Sequence, residues 1–503
     1  MDRFDLAIIG AGVSGASIAR RLSAFELSVA LVDKEADVSF GTSKANSGII
    51  HGGFHHNRKY LKARLELQGA GMYPQLHREL GFPYRQCGIV VAAFSPEEMT
   101  ISEHLYRQGV ENGSLGIELC GAARIRELEP KLHADVIGGL YAPAGGIIEP
   151  YRFVFALVEN ARENGVEVIT DFDVSFAERL EETFEISARD GRKLRADYVV
   201  NAAGLYADEV SRIFDAEEYR IQPRKGEYHL LDRRTPACPK RVVFPVPTPV
   251  SKGMLVIPTV EGTVLIGPTA DESPDKEDVR TTASRQEEIV RSARRLVPSV
   301  SHQDIIASFS GLRPTLEEGD FYIAESQKQP GFIQVAGIQS PGLTAAPAVG
   351  EYVKELLKSA GCRLTEKQRF QAILSPVSRT RTETDEEIQA AWEADPREGQ
   401  VVCRCETVTR GEIVTAIRHG HRTLDGIKFS SRAGAGRCQG SFCLPKLLEL
   451  IALEGEAPIT KATKRGRESW VIRETLPGTP AQPKANGAPA SARNPAGGGN
   501  PAP

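Results

Sequence analysis

The chain has 503 residues, 41% of them hydrophobic and 25% charged, an ordinary globular composition with length for two or three cores. Its formal net charge of -4 excludes the basic bias of a nucleic-acid binder, and no apolar run approaches the roughly 20 residues that cross a bilayer. The start enters a strand pattern at once, without the basic-then-apolar order of a signal peptide, so a cytoplasmic protein is expected, with peripheral membrane contact left open.

Residues 6–9 are a short apolar run of the kind that forms a buried parallel strand. Gly10, Gly12 and Gly15 follow in G-x-G-x-x-G order, a helix pattern covers 14–24, and a second apolar strand ends at Asp33. This spacing predicts a dinucleotide site. Gly10 makes the tight turn, Gly12 admits a pyrophosphate, Gly15 lets helix and strand pack closely, and Asp33 accepts hydrogen bonds from a ribose. The motif does not separate FAD from NAD.

Residues 41–56 are rich in glycine and small polar groups and read as a loop or a broken helix start. Helical periodicity covers 61–80. The stretch 84–150 is mixed, with a strand at 88–93 and a turn at 143–146. A helix at 150–164 and a strand at 166–170 come next, and an apolar strand in 193–204 ends in a tight turn. Between 221 and 267 short strands alternate with prolines, which predicts an antiparallel sheet in a second, substrate-facing domain. A helix at 285–296, a strand at 332–337 and a helix at 345–359 complete the pattern. The fold class expected is α/β, with a discontinuous Rossmann-like domain. Residues 382–397 are charged and read as a linker or surface helix, and the tail from about 474 is Pro-, Ala- and Gly-rich and expected to be disordered.

There are eight cysteines. Cys87, Cys120, Cys238 and Cys362 stand singly and read as buried free thiols. Cys403-Arg-Cys405 and Cys438-x4-Cys443 share one compact module, a clustering that favours a metal site over disulfides in a cytosolic chain. Four thiolates hold either a [2Fe-2S] cluster or a structural zinc, although zinc sites more often use C-x2-C pairs.

Several strings together resemble the FAD-dependent oxidoreductases of the D-amino-acid oxidase type, and within them the flavin-dependent glycerol-3-phosphate dehydrogenases and oxidases, with the 2-hydroxyglutarate dehydrogenases nearby. They are Thr42-Ser43, Asn46-Ser-Gly-Ile-Ile-His51, Asn201-Ala-Ala-Gly204, Lys252-Gly-Met-Leu-Val-Ile-Pro258, Ile266-Gly-Pro-Thr269, Gly311-Leu-Arg-Pro314 and Gln339-Ser-Pro-Gly-Leu-Thr-Ala-Ala-Pro347. The sequence around the four cysteines resembles the bacterioferritin-associated ferredoxin-like [2Fe-2S] module.

The resemblance implies an FAD-dependent oxidoreductase over 1–360, with a substrate domain inserted at about 80–150 and 205–310. A linker at 361–398, a small α-rich [2Fe-2S] module at 399–455 and the disordered tail at 474–503 follow. It implies FAD as the dinucleotide, held by Gly10, Gly12, Val13, Ser14, Gly15 and Asp33. Thr42, Ser43, Ile49, Gly204 and Ser340 also bind the cofactor, Val174 lies at the adenine end, Gly342, Leu343 and Thr344 lie near the flavin ring, and Ser47 and Gly48 approach it from the other loop. Cys403, Cys405, Cys438 and Cys443 are the expected cluster ligands.

Oxidising a secondary alcohol needs a base for the hydroxyl proton, and a histidine suits that role because its ordinary pKa is about 6.5. His51 is the candidate; His55 and His56 read as pocket or surface groups. A phosphorylated substrate needs fixed cations. The resemblance implies Arg313, Lys252 and Ser47, and Arg224 and Lys225 are further candidates. Two cations also suit a dicarboxylate such as 2-hydroxyglutarate, so charge alone does not choose. The Lys252 and Ile266 strings favour glycerol phosphate. In the cysteine module, Arg404, Arg410, Arg418, Arg422, Arg432 and Arg437 read as a solvated face, or as cations that offset the cluster or dock an acidic electron acceptor. A non-catalytic redox sensor is the remaining reading, against which His51 and Arg313 stand.

Overall fold

The computed structural model describes residues 2–248, 252–375 and 379–472; the expected disorder of 474–503 falls outside them. At its centre is an eight-stranded sheet. Strand β1 (Asp2–Ile9) pairs in parallel with β2 (Val29–Val32) on one side and Lys193–Asn201 on the other. Glu167–Ile169 extends the β2 edge, and Phe332–Ala336 pairs with the far end of Lys193–Asn201. Strand alternation sends Leu6 and Ile8 into one apolar cluster and Ala7 and Ile9 into another. Burial on both faces is why β1 reads as a continuous apolar run.

Helices Val13–Leu22 (α1), Pro150–Glu163 and Gly342–Ser359 cover one face, with Leu61–Leu80 (α2) packed across the last of them. The turn between β1 and α1 needs its glycines. Gly10 has φ +105°, and a Cβ there meets Ala202 O at 2.4 Å; a Cβ on Gly15 meets Gly10 O at 1.9 Å.

A second sheet of nine strands draws on residues 89–142 and 222–315. It is antiparallel except where Val242–Pro245 runs parallel to Ile89–Ala93. The mixed stretch before residue 150 holds a 17-residue helix, Pro96–Asn112, that periodicity alone does not reveal. Its start was legible: Ser95 accepts from Glu98 N, Pro96 opens the helix, and Glu97 and Glu98 sit at the positive end of its dipole.

The charged segment before the cysteines carries the helix Asp385–Ala394, opened by a capping box of Thr384 and Glu387. The cysteine module has a two-stranded sheet, Val401–Cys403 with Val408–Thr409, and helices Arg410–Arg418, Leu424–Ser431 and Leu444–Glu454. Its compact body does not stop near 455: Ile459, Ala462 and Ile472 join the apolar cluster around Ile413 and Ile427. No helix among the described residues is long and apolar enough to cross a membrane.

The module is docked on the Rossmann-like domain by packing and charge. Phe429 stands edge-on to Phe40 and tilts against Tyr151, 6.2 and 4.8 Å between ring centres. Arg432 is buried and ion-paired to Glu149, to Glu406 at 2.8 Å and to Glu261 at 3.6 Å; Arg381 bridges Glu261 and Glu406 at 2.7 and 2.8 Å, and Arg233 also reaches Glu406. Three carboxylates meet three guanidinium groups, so the interlock is neutral.

A second charged joint sets His421 Nδ1 2.8 Å from Asp37 Oδ2, with Glu159 3.7 Å from Nε2. Burial opposes a charge on His421, but Asp37 and then Glu159 override it and raise its pKa to about 9. A raised pKa means that this joint is fully stabilising below the unfolded value of about 6.5 and is lost as pH rises through about 9. The shift corresponds to about 3 kcal/mol. Hydrogen exchange in Leu424–Ser431 is therefore expected to accelerate between pH 6.5 and 10 relative to the intrinsic rate, and His421→Ala should remove that dependence.

Candidate active site and cysteine centre

A cavity of about 1640 Å³ lies between the two sheets. One end is lined by Asp33, Phe172 and Val174, the middle by Gly10, Gly12, Val13 and Ser14, and the other end by His51, Lys252, Arg313, Pro341 and Leu343. The middle is prepared for an anion. The α1 N-terminus faces it with Gly12 as N-cap and no side-chain cap on Gly12, and Ser43 Oγ accepts from Val13 N at 2.9 Å. Asp33 accepts from Ala11 N at 2.7 Å and Glu35 N at 2.9 Å, and burial raises its pKa to about 6. A cavity of this size with a glycine turn and a helix N-terminus in its wall fits a dinucleotide.

The sequence-derived residues divide into those lining the cavity and those bracing it. Thr42, Ser43, Ser47, Ile49, Gly204, Ser340, Gly342 and Leu343 line it. Gly15, Gly48 and Thr344 are not in its wall. Gly15 sits behind the turn, Gly48 backs onto Ile148, and Thr344 Oγ1 accepts from His51 N at 3.0 Å, which fixes the histidine loop. Thr42 donates to Leu312 O at 2.7 Å, tying that loop to the Arg313 strand.

His51 Nε2 lies 3.3 Å from Ser340 Oγ, and that oxygen is 3.3 Å from Lys252 Nζ. The lysine donates to the serine, whose hydroxyl is in hydrogen-bond reach of Nε2. Burial, and then the Lys252 charge, hold the His51 pKa well below its ordinary value. Burial likewise lowers Lys252, against the pull of Glu66. His55 and His56 prove to be pocket groups: both line the cavity, and His55 packs 5.5 Å from His51 and 5.2 Å from Phe244, between ring centres.

Arg313 lines the same end and donates to Thr269 O at 3.1 Å. Arg224 is its register partner on the adjoining strand and also lines the cavity. Lys225, one residue on, faces the opposite way and pairs with Asp278 at 3.1 Å, so it leaves the candidate set. Lys62, on α2, lines the cavity too and was missed. Nothing in a helical lysine marks it out in sequence.

The four module cysteines come together. Cys403 Sγ lies 3.9 Å from Cys405 Sγ, which lies 3.7 Å from Cys438 Sγ, and Cys443 is hydrogen-bonded to Cys403. Among the described residues no three such side chains close on one point as a single-ion cage; the sulfurs form a string, and none of the four is in a disulfide. Four sulfurs within reach of one another suit the donor set of an iron–sulfur cluster. The remaining single cysteines, Cys87, Cys120, Cys238 and Cys362, are also free, and only Cys120 and Cys362 are fully buried. Of the module arginines, Arg432 belongs to the buried interlock, Arg437 pairs with Asp232 and Arg418 with Glu454, while Arg404 stays exposed.

Comparison with known proteins agrees with this arrangement. Residues 5–356 match the family described as FAD dependent oxidoreductase, and 401–452 match the BFD-like [2Fe-2S] binding domain. A glycerol 3-phosphate dehydrogenase of Caloramator mitchellensis is 41% identical over 471 residues, covering 93% of this chain and 98% of that protein. The dithionite-reduced L-alpha-glycerophosphate oxidase of Mycoplasma pneumoniae, a structure with FAD bound, superposes with a TM-score of 0.72 at 29% identity, covering 75% of this chain and all of that one. The human mitochondrial L-2-hydroxyglutarate dehydrogenase is 30% identical over 283 residues, 53% of this chain and 61% of that protein. On the length of the first match and the glycine turn, cavity and sulfur string that underlie it, the chain belongs to the FAD dependent oxidoreductase family and carries a BFD-like [2Fe-2S] binding domain on its C-terminal side.

Proposed function

We propose that the chain oxidises sn-glycerol 3-phosphate to dihydroxyacetone phosphate and passes the electrons to a separate acceptor. The observation that carries this reading is the meeting of a buried His51, its pKa lowered, with Lys252 and Arg313 at one end of the cavity. When bound, FAD supplies the acceptor for the carbinol hydride and a [2Fe-2S] cluster supplies one-electron transfer onward. The protein's own work is acid–base and positional. His51 Nε2 takes the hydroxyl proton, Arg313 and Lys252 hold the phosphate with Ser47 beside them, and Thr344 keeps the histidine loop in register. The cofactor roles given above to the lining residues, from the glycine turn to Leu343, are part of this reading.

A dehydrogenase is favoured over an oxidase by the extra length. The oxidase structure is covered completely by 75% of this chain, whereas the Caloramator dehydrogenase aligns with 93% of it. The cysteine centre also presents a surface for an acceptor. Phe442, beside Cys443, is 85% exposed, and Arg404, Arg437 and Lys446 stand exposed around the sulfurs. A projecting aromatic in a cationic rim suits an acidic partner protein or a quinone-linked carrier. The latter would bring a cytoplasmic chain to the membrane surface.

The test is anaerobic titration of the purified holoenzyme. Glycerol 3-phosphate should bleach the flavin band stoichiometrically, and L-2-hydroxyglutarate should not. Bleaching by the hydroxy acid alone would transfer the reading to that substrate. In the same assay Arg313→Ala should weaken substrate binding by about 2 kcal/mol or more, roughly thirtyfold, because the anion loses a bidentate partner. Unchanged affinity in a folded variant would make Arg313 structural.

A further inference from the structure

The cavity has a wall that neither matched segment contains. Lys464, Arg465 and Arg467 line it, together with Asp425, at the end that also holds Asp33, Lys34 and Glu35. The three cations lie beyond residue 452, where the BFD-like match ends, and far beyond 356, whereas Asp425 lies inside the BFD-like match. Their backbone is built, not loose. Thr463 and Trp470 form a bridge, Lys464 N donates to Ser469 O at 2.7 Å, and Gly466 N donates to Thr463 Oγ1 at 3.0 Å. Asp425 N donates to Lys464 O at 2.8 Å, fixing this hairpin to the module helix Leu424–Ser431.

The hairpin tip is pressed onto the loop after β2. Gly466 has φ +87°, and a Cβ there meets Ala36 Cβ at 2.3 Å. Arg467 donates to Lys34 O at 3.4 Å. Lys464 is paired with Asp425 at 2.7 Å, but partners within the protein do not account for the two arginines. Arg465 and Arg467 stand 3.7 and 3.9 Å from the single carboxylate of Glu35, and both are about half exposed, a geometry that contributes little. Across the cavity mouth Lys44 lines the same wall. Its contacts are with the faces of Phe40 and Phe429, at 4.6 and 5.8 Å, and burial and then the Arg465 charge lower its pKa to about 8. With Lys464 paired to Asp425, Lys44, Arg465 and Arg467 have only Glu35 facing them beside the offsetting Lys34 and Asp33, which leaves an excess of positive charge on this wall.

We propose that the hairpin 463–470 is a second wall of the dinucleotide site, in which Lys464, Arg465 and Arg467 close with Lys44 over the ribose–pyrophosphate stretch of FAD. This rests on the FAD reading of the cavity and deepens it. A pyrophosphate carries two negative charges, which is the complement this wall lacks. The arrangement also ties cofactor retention to the module, because the hairpin reaches the cavity only when Leu424–Ser431 is docked against Phe40 and Asp37.

The experiment uses the full chain. Apoprotein and the variant R465E/R467E are reconstituted with FAD, and the dissociation constant is read from flavin fluorescence, with iron content and circular dichroism as controls of fold. The variant is expected to bind FAD at least tenfold more weakly than wild type, and R465K/R467K to stay within about threefold, since charge rather than shape is at stake. If R465E/R467E does not fold, R465Q/R467Q takes its place with the same expectation. Affinity within twofold of wild type for a folded charge-removed variant overturns the clamp. Wild-type protein that binds no FAD at all would instead overturn the cofactor reading, so the two failures are distinguishable.

Discussion

Replacing His51 by alanine is expected to slow substrate-driven flavin reduction by roughly 10²–10⁴-fold, the range removed with a positioned general base. In barrier terms this is about 3–5 kcal/mol. FAD should remain bound, because the glycine turn and Ser43 lie elsewhere in the cavity wall. Stopped-flow reduction under anaerobic conditions makes the measurement, and a rate within a few-fold of wild type would remove His51 from the base role. The wild-type profile carries a second expectation. Burial lowers the His51 pKa well below 6.5, so the base is already neutral there. The reduction rate should therefore pass through pH 6.5 without an acid limb centred on that value. A limb there would mean that the imidazole is solvated and Lys252 is not beside it.

The double variant Cys403→Ser, Cys405→Ser separates the two halves of the reaction. It should lose the cluster's visible absorption and about two irons per chain. Substrate-driven bleaching should persist, since none of the cysteines lines the large cavity. Turnover with the natural acceptor should drop to a small residue, because a hydride arrives as an electron pair and must leave by a one-electron path. Zinc in the wild-type protein, or normal turnover in the variant, would defeat this account.

The parts of the site legible in sequence are those written in short covalent spacing. The glycine turn, the His51 loop and the Cys403 pair each place their groups within a few residues, so local geometry determines what they do. Arg224 and Lys225 show where local reading falters. Both are cations on one strand, and only the alternation of faces, set by the register with Arg313, sends one into the cavity and the other to Asp278. Partnerships between distant residues left no trace. Glu149 and Arg432 are 283 positions apart, and no period or composition announces their pairing. The same holds for the hairpin at 463–470. It falls between the module expected at 399–455 and the tail expected from about 474, and it had no assignment because the contacts that make it a wall belong to Ala36 and Asp425.

The knot of Arg432, Arg381 and Arg233 with Glu149, Glu261 and Glu406 has a bearing on modularity. Glu149 and Glu261 sit on the oxidoreductase, and Glu406 is 1% exposed inside the module. A chain cut after residue 375 would strand the first two carboxylates without Arg381 and Arg432. Breaking such a buried pair costs about 3–5 kcal/mol, a large share of a domain's net stability. The Mycoplasma oxidase, fully spanned by three quarters of this chain, shows that the scaffold exists alone elsewhere. Grafting the module onto a bare oxidase, or deleting it here, would call for compensating changes at 149 and 261 before either product folded well.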